Sequence, residues 1–188
     1  MNIFTHDDIE QIEAAIKKLI DVCGDDSSRE GVEDTPLRVF NSFLEQTQGY
    51  REDPSKHLEK TFDVEHRDLV VVKDIDFTSM CEHHLINFQG VAHIAYIPNK
   101  KVTGLSKFAR VVEGYARRFQ VQERLTNQIK DTIKEKLDTK DVIVILEAKH
   151  NCMCARGVQK QNSSTLTVST SGAFDKTDKR NEFLQLIK

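Results

Sequence analysis

The spacing of apolar residues changes near residue 69, and this change most constrains what the chain can fold into. Before it, Ile9 and Ile12 belong to a series of apolar residues at helical spacing, which predicts an amphipathic helix. Thr35 and Pro36 predict the start of a second helix, because an N-cap residue followed by proline is typical of a helix N-terminus. This part of the chain is therefore predicted to form a helical arm followed by a polar connection.

The pattern after residue 69 is that of strands with two helices between them. Strands are predicted at residues 69–78, 90–97, 142–146 and 165–168, from β-branched runs and alternating apolar residues. Amphipathic helices are predicted after Ser106 and around Leu125. The order β-β-α-α-β-β predicts an α+β fold, an antiparallel sheet with helices on one face. We expect residues 1–68 to be the arm and connection, and residues 69–188 to be the main domain.

The charge of the chain is unevenly distributed. The 188 residues include 27 basic and 30 acidic side chains, a net charge of −3, which argues against a nucleic-acid-binding protein held by a basic surface. Residues 100–124 nevertheless hold seven basic residues against Glu113 and Glu123. Such a confined basic segment suits a small polyanion such as a polyphosphate, although a solvated helix face has the same composition.

The sequence indicates neither a membrane span nor a secretory leader. No apolar run reaches the roughly 18 to 20 residues needed to cross a bilayer, and the segment MNIFTHDDIEQIE carries acids where a signal peptide has basic and apolar residues. The spacing of the four cysteines is unlike that of a disulfide framework. We therefore predict a cytoplasmic protein with reduced thiols, and neither a membrane nor a nucleic acid as partner.

Two clusters combine cysteine with histidine, the residue types that bind zinc. Cys81 and His84 are separated by two residues, a spacing at which a thiolate and an imidazole reach one ion. The second cluster holds His150, Cys152 and Cys154, which would face one side if the preceding strand continued through them. Cys81, His84 and Cys152 would leave a fourth position open for water, whereas adding Cys154 or His150 would close a structural site. Buried thiols and core histidines are a third interpretation.

Polar residues near these clusters are suited to catalysis and to binding an anion. A three-ligand site would leave His83 and His150 free to transfer protons. Ser106 is predicted to cap a helix, whose N-terminus favours anions, and Lys107 and Arg110 lie three residues apart on one face of that helix.

Three more polar residues extend this candidate ligand site. Arg156 follows the second cluster closely in sequence. Gln122 and Glu123 precede a predicted helix, and a carboxylate there can accept paired N–H donors from a purine edge. An acid in the first turn that only stabilises the helix is the commoner role.

Several motifs, in order from about residue 35 to the end of the chain, resemble GTP cyclohydrolase I. They are CEHH, GLSKFAR, QVQERLT, HNCMCARG and the closing NEFL. The resemblance implies a tunnelling fold, in agreement with the predicted β-β-α-α-β-β order. It also implies that the enzyme converts GTP and water into dihydroneopterin triphosphate and formate, and that it works as a homodecamer with active sites between subunits.

The resemblance also implies a role for each candidate residue. The implied Zn²⁺ ligands, which make the site open, are Cys81, His84 and Cys152. The implied catalytic residues, an acid-base pair and a residue near the ribose, are His83, His150 and Ser106. The implied guanine ligands are Gln122 and Glu123, and the implied triphosphate ligands are Lys107, Arg110 and Arg156. Arg38, in the motif EDTPLR, resembles a phosphate ligand that a neighbouring subunit supplies.

Alternative functions differ in the residues they require. A nitrile reductase of the deazapurine pathway resembles this core but uses a catalytic cysteine without the zinc residues, and the pairing of CEHH with HNC argues against it. A cytidine-deaminase-like enzyme would need H-x-E followed by P-C-x-x-C, which the chain does not contain. A non-catalytic ring scaffold with a structural zinc would not need His83, His150 and the basic residues. The product's pathway, folate or deazapurine biosynthesis, is left open.

Overall fold

The computed structural model describes residues 4–188, which divide into two compact units, the first ending at Gln46 and the second being Thr47–Lys188. In the first unit, helix α1 (His6–Val22) packs against helix α2 (Thr35–Gln46). The predicted cap of α1 is present, since the Thr5 hydroxyl accepts a hydrogen bond from the Asp8 amide at 3.2 Å. The two predicted helices are therefore both formed.

The second unit is built on a five-stranded sheet in the order β5-β2-β3-β6-β7. The strands of this sheet are β2 (Val70–Cys81), β3 (Asn87–Tyr96), β5 (Phe119–Gln120), β6 (Val142–His150) and β7 (Thr165–Ser171). Neighbouring strands are antiparallel, except that the short β5 runs parallel to β2. A separate two-stranded sheet pairs β1 (Thr61–Asp63) with β4 (Lys101–Thr103).

The helices of the second unit lie on both faces of the sheet. They are α3 (Ser106–Ala116), α4 (Gln122–Lys136), α5 (Asn151–Cys154) and α6 (Thr177–Leu186), with 3₁₀ turns at Gln48–Arg51, Pro54–Leu58 and Gly172–Asp175. The central helices α3 and α4 cover one face, as predicted. Phe183 of α6 packs against Ala95 and Ile143 on the opposite face, an addition that the prediction did not include.

The main core lies between the sheet and the two central helices. Leu125, Ile129, Ile133 and Leu137 form the predicted stripe along α4, and all four are fully buried. Burying a side chain of this size contributes roughly 1.5 to 3 kcal/mol to folding. The α+β class and the β-β-α-α-β-β order are therefore confirmed, and this core fixes α4 against the strands that carry the site.

The connection before the sheet belongs to the second unit by its contacts. Leu58 is fully buried in the main core, and its 3₁₀ turn packs against α3. The prediction divided the chain at residue 68, and the two compact units of the structure separate after Gln46. The buried Leu58 is one contact between this polar stretch and the core of the second unit. No helix within residues 4–188 combines the length and the apolar character that crossing a bilayer requires.

Candidate active site and metal centre

The two Cys/His clusters meet at one edge of the sheet because β2 and β6 both flank β3 and both run antiparallel to it. Strand β2 ends at Cys81, and β6 ends at His150. The register pairs Phe88 of β3 with Ser79 on one side and with His150 on the other. Residues far apart in sequence thus lie together at the ends of two strands.

A tight turn after β2 brings His84 back towards Cys81. The Leu85 amide donates to the Cys81 carbonyl at 2.9 Å, and the Cys81 amide donates to the Ile86 carbonyl at 3.0 Å. Leu85 adopts a left-handed backbone conformation with φ of 53°, which reverses the chain direction within the turn. Because of this turn, the two-residue spacing places the side chains of Cys81 and His84 close together.

Cys81, His84 and Cys152 form a group whose ligand atoms all lie within 4.8 Å of one another. The distance from Cys81 Sγ to His84 Nδ1 is 4.0 Å. Cys81 is buried, Cys152 is half-buried and His84 is exposed, so the group lies at the protein surface with one buried thiol. Two thiols and one imidazole are a donor set that fits zinc. This Cys-His-Cys group could therefore hold a metal ion.

Cys154, in the second cluster, does not belong to the Cys-His-Cys group. Strand β6 ends at His150, and residues Asn151–Cys154 form the short helix α5. The condition under which His150, Cys152 and Cys154 would face one side is therefore not met, because helical geometry separates side chains two residues apart. The Cys154 thiol donates to the Lys160 carbonyl at 3.4 Å. Within residues 4–188, the potential metal ligands are the three of the Cys-His-Cys group.

The environment of Cys152 favours a neutral thiol. Burial raises the pKa of this thiol, and the nearby Cys81 raises it further, while Arg156 acts in the opposite direction. Two thiolates close together repel each other, and a divalent cation between them would remove that repulsion. The side chains are thus arranged for a cation and disfavour two free thiolates.

His150 is held beside the Cys-His-Cys group by contacts on its face and its edge. Its ring stacks on Phe88 with centroids 4.6 Å apart and planes 5° apart. Its Nε2 atom lies 2.8 Å from Gln122 Oε1. Burial lowers the pKa of His150, and the negative charge of Glu123 opposes part of that shift. The ring is therefore fixed in place and favours its neutral form near neutral pH.

His83 is less restrained than His150. Its side chain is 64% exposed, with Nδ1 3.9 Å from Cys81 Sγ and Nε2 4.0 Å from Glu82 Oε1. This imidazole therefore lies close to a thiol of the Cys-His-Cys group and is open to solvent. The structure thus places both spare histidines beside this group.

This arrangement can be compared with known proteins. A family model described as GTP cyclohydrolase I matches residues 12–188. The chain belongs to the GTP cyclohydrolase I family. It is therefore an enzyme, as the sequence motifs predicted.

Curated relatives named GTP cyclohydrolase 1 match over most of their length. The protein of Carboxydothermus hydrogenoformans is 54% identical over 168 residues, which cover 89% of this chain and 88% of the relative. The protein of Desulforamulus reducens is 50% identical over 182 residues, covering 96% and 97%. That of Bacteroides thetaiotaomicron is 49% identical over 181 residues, covering 96% and 92%.

The predicted anion-binding residues of this GTP cyclohydrolase I family member lie on solvent-accessible surfaces. Helix α3 begins at Ser106, but its N-cap is Leu105 and no side chain caps it. The expectation that Ser106 caps the helix is therefore wrong, since the helix starts one residue earlier than the hydroxyl pattern suggested. Ser106 and Arg110 are exposed and Lys107 is half-buried. Arg156 is also exposed, close enough to Cys152 to influence its thiol.

The two residues expected at the guanine edge have different environments. Glu123 is exposed in the first turn of α4 and acts electrostatically on His150. Gln122 is only 2% exposed, and its side-chain amide is hydrogen-bonded to protein groups. Arg38, in the first unit, lies on α2 and pairs with Asp34 at 3.0 Å.

Sequence analysis missed an ion pair that connects α4 to the turn after β2. Arg124 donates two hydrogen bonds to Glu82, at 2.6 and 3.0 Å, and these bonds hold the pKa of the Glu82 carboxyl below its usual value. The Glu82 amide also donates to the Gln120 carbonyl at 3.1 Å. These partners are distant in sequence, so no local pattern predicts them. Phe88, on which His150 stacks, was missed as well, since its sequence signal is that of any core residue.

Proposed function

We propose that this enzyme opens the imidazole ring of GTP by zinc-dependent hydrolysis and rearranges the product to 7,8-dihydroneopterin triphosphate, with release of formate. The observation that supports this most is the Cys-His-Cys group with His150 beside it. It occurs in a chain that matches the GTP cyclohydrolase I family model over nearly its whole length. GTP cyclohydrolase activity follows from the family, and the zinc dependence is proposed on the basis of the Cys-His-Cys group.

Cys81, His84 and Cys152 are proposed to hold the zinc ion. Three protein ligands leave a coordination position open, which is typical of a catalytic zinc and not of a structural one. A zinc ion in such a site activates water for hydrolysis. Cys154 is proposed to take no part, because its thiol is bonded to the Lys160 carbonyl and lies outside the group.

His150 and His83 are proposed as the acid-base pair, with Ser106 near the ribose. A neutral imidazole held in one orientation can accept a proton, and once protonated it can return that proton at a later step. His150 is held in this way by Phe88 and Gln122. His83 is exposed, so it is proposed to transfer protons that exchange with solvent. Ring opening, formate release and the ribose rearrangement each require such transfers.

Glu123 is proposed to accept N–H donors from the guanine edge. Its carboxylate is exposed near His150, whereas the Gln122 side chain is buried and fully bonded, so direct guanine binding is proposed for the side chain of Glu123 alone. Lys107, Arg110 and Arg156 are proposed to bind the triphosphate, for which the exposed charges of Arg110 and Arg156 and the half-buried charge of Lys107 are suited. Arg38 is proposed as a phosphate ligand supplied by a neighbouring subunit.

The assembly and the cellular role are also proposals. We propose a homodecamer with active sites between subunits, in the cytoplasm, on the basis of the family resemblance. The product would enter pterin and folate biosynthesis or the deazapurine pathway. Neither a nucleic acid nor a membrane is proposed as partner, consistent with the net charge of −3.

The test is to incubate purified enzyme with GTP and to measure formate and the pterin triphosphate together, before and after treatment with a chelator. Both products are expected in equal amounts from the untreated enzyme, and neither after chelation until zinc is restored. Formate without a pterin would indicate a simpler ring-opening reaction. Neither product from zinc-loaded enzyme would contradict the proposed function and favour a non-catalytic scaffold.

A further inference from the structure

The side chain of Gln122 forms a complete set of hydrogen bonds in the protein interior. Its amide nitrogen lies 3.0 Å from the Leu146 carbonyl, 2.9 Å from the Thr165 carbonyl and 3.1 Å from Thr167 Oγ1. Its amide oxygen lies 2.8 Å from His150 Nε2. With 2% of the residue exposed, this amide is not available to a substrate. Its contacts connect α4 to both β6 and β7.

These partners determine which end of the amide faces His150. A carbonyl oxygen only accepts hydrogen bonds, so the carbonyls of Leu146 and Thr165 require the amide nitrogen, which donates. The amide oxygen must then face His150, because flipping the amide would set oxygen against two carbonyl oxygens. An amide oxygen only accepts, so His150 Nε2 must carry the proton.

This arrangement selects one of the two neutral forms of His150. A neutral imidazole has one N–H and one nitrogen with a lone pair. With the proton on Nε2, the lone pair is on Nδ1. Stacking on Phe88 prevents the ring from tilting, so the contact with Gln122 also fixes how the ring is turned in its plane. Backbone groups hold Gln122 itself, so the selection does not depend on a mobile side chain.

We propose that Gln122 is a positioning residue that holds the His150 ring in one orientation, with the proton on Nε2 and the lone pair on Nδ1. The proposal rests on the proposed function, in which His150 is an acid-base group. It gives Gln122 a role through His150 and not through contact with guanine. Replacing Gln122 with a side chain of similar size that has no acceptor oxygen should leave GTP binding intact and slow the chemical steps.

The first experiment is a double-mutant cycle with Gln122→Met and His150→Ala in the zinc-loaded enzyme. Methionine has nearly the same length as glutamine but no amide. In the presence of His150, we expect Gln122→Met to lower kcat roughly 10- to 100-fold, the usual range for a group that orients a ligand or catalytic side chain, with little change in the KM for GTP. In the His150→Ala background, the same substitution should cause no further loss.

Thr126→Val is the matched control for the buried polar cluster. The Thr126 hydroxyl donates to the backbone carbonyl of Gln122 at 2.7 Å, and it also bonds Thr167 Oγ1. Its removal disturbs the same cluster but leaves all the bonds of the Gln122 amide in place. We therefore expect Thr126→Val to lower the melting temperature while kcat stays unchanged. An equal fall of kcat in this variant would overturn the proposal, since disturbing the cluster would then suffice.

The second experiment measures the protonation of His150 in the unmodified enzyme and uses a variant only to assign the signals. Solid-state NMR of enzyme containing ¹⁵N-histidine, at mildly alkaline pH where imidazoles are neutral, reports which nitrogen carries a proton. The His150 signals are assigned by their loss in His150→Ala. We expect a protonated Nε2 and an unprotonated Nδ1. A protonated Nδ1 with a bare Nε2 would overturn the proposal.

The outcomes separate this proposal from the proposed function. Equal rate losses from Gln122→Met with and without His150, or a raised KM at unchanged kcat, would overturn positioning while the unmodified enzyme still made formate and pterin. Absence of both products from the unmodified zinc-loaded enzyme would instead contradict the proposed function. A loss of rate confined to the enzyme that keeps His150 would support positioning.

Discussion

The cysteines of the second cluster offer a sharp test of the three-ligand site, because Cys152 and Cys154 are two residues apart with different surroundings. Cys152 belongs to the Cys-His-Cys group, while Cys154 bonds the Lys160 carbonyl. We predict that Cys152→Ala loses zinc and activity and that Cys154→Ala keeps both. Each substitution removes one thiol from the same short helix, so each is the matched control for the other.

The expected magnitudes differ widely. Structural four-ligand zinc sites bind with about 10 to 16 kcal/mol, or roughly 2.5 to 4 kcal/mol per ligand, so losing Cys152 should weaken zinc binding by about 10²- to 10³-fold. Losing Cys154 removes one weak S–H hydrogen bond, which costs about 1 kcal/mol of stability or less. Cys81→Ala and His84→Ala should behave like Cys152→Ala.

The assay is zinc content after dialysis, combined with competition against a chelator of known affinity and with formate release from GTP. The Cys154→Ala enzyme should match the unmodified enzyme in all three. The reverse pattern, with zinc lost from Cys154→Ala and kept by Cys152→Ala, would refute the ligand assignment. Partial zinc loss in both variants would instead indicate a closed site with four ligands.

Three further substitutions test the other parts of the site. Glu123→Gln should raise the KM for GTP and relax discrimination against other purine triphosphates, because an amide cannot accept two N–H donors as a carboxylate does. Unchanged selectivity would mean that Glu123 does not bind guanine and only stabilises the helix. His150→Ala and His83→Ala should keep zinc, and their overall rate should fall by about 10²- to 10⁴-fold in assays of formate and pterin. Full activity in both variants would mean that neither histidine transfers protons in the reaction. Arg124→Met should change the melting temperature only slightly, since its pair with Glu82 is exposed to solvent. A large fall in melting temperature would mean that the ion pair is more than a surface contact.

The sequence predicted the parts of the fold that depend on local pattern. Alternation in β3 and the stripe of α4 are visible as periods in the chain, and both elements formed as predicted. The meeting of the two Cys/His clusters could also be anticipated, since both follow strands. The packing of α6 on the opposite face could not, because the contact of Phe183 with Ala95 and Ile143 joins residues that are distant in sequence.

The details of the site that the sequence did not predict depend on contacts between distant residues. The sequence His150-Asn151-Cys152-Met153-Cys154 is compatible with a strand and with a short helix. In the structure, Asn151–Cys154 form the helix α5. The burial of Gln122 depends on carbonyl groups of β6 and β7, which no local pattern around Gln122 reveals. Both Gln122 and Glu123 were therefore expected to bind guanine, whereas in the structure Gln122 is buried and Glu123 is exposed.

Zinc-dependent ring opening at the Cys-His-Cys group is tested most directly by titrating zinc into metal-free enzyme while formate release from GTP is measured. Formate release should rise in proportion to bound zinc and level off at about one zinc per chain, because residues 4–188 contain one such group. The Cys152→Ala enzyme should show no such rise over the same zinc range. Formate release at the full rate from metal-free enzyme, or a rise that Cys152→Ala shares, would contradict the zinc site and the mechanism built on it.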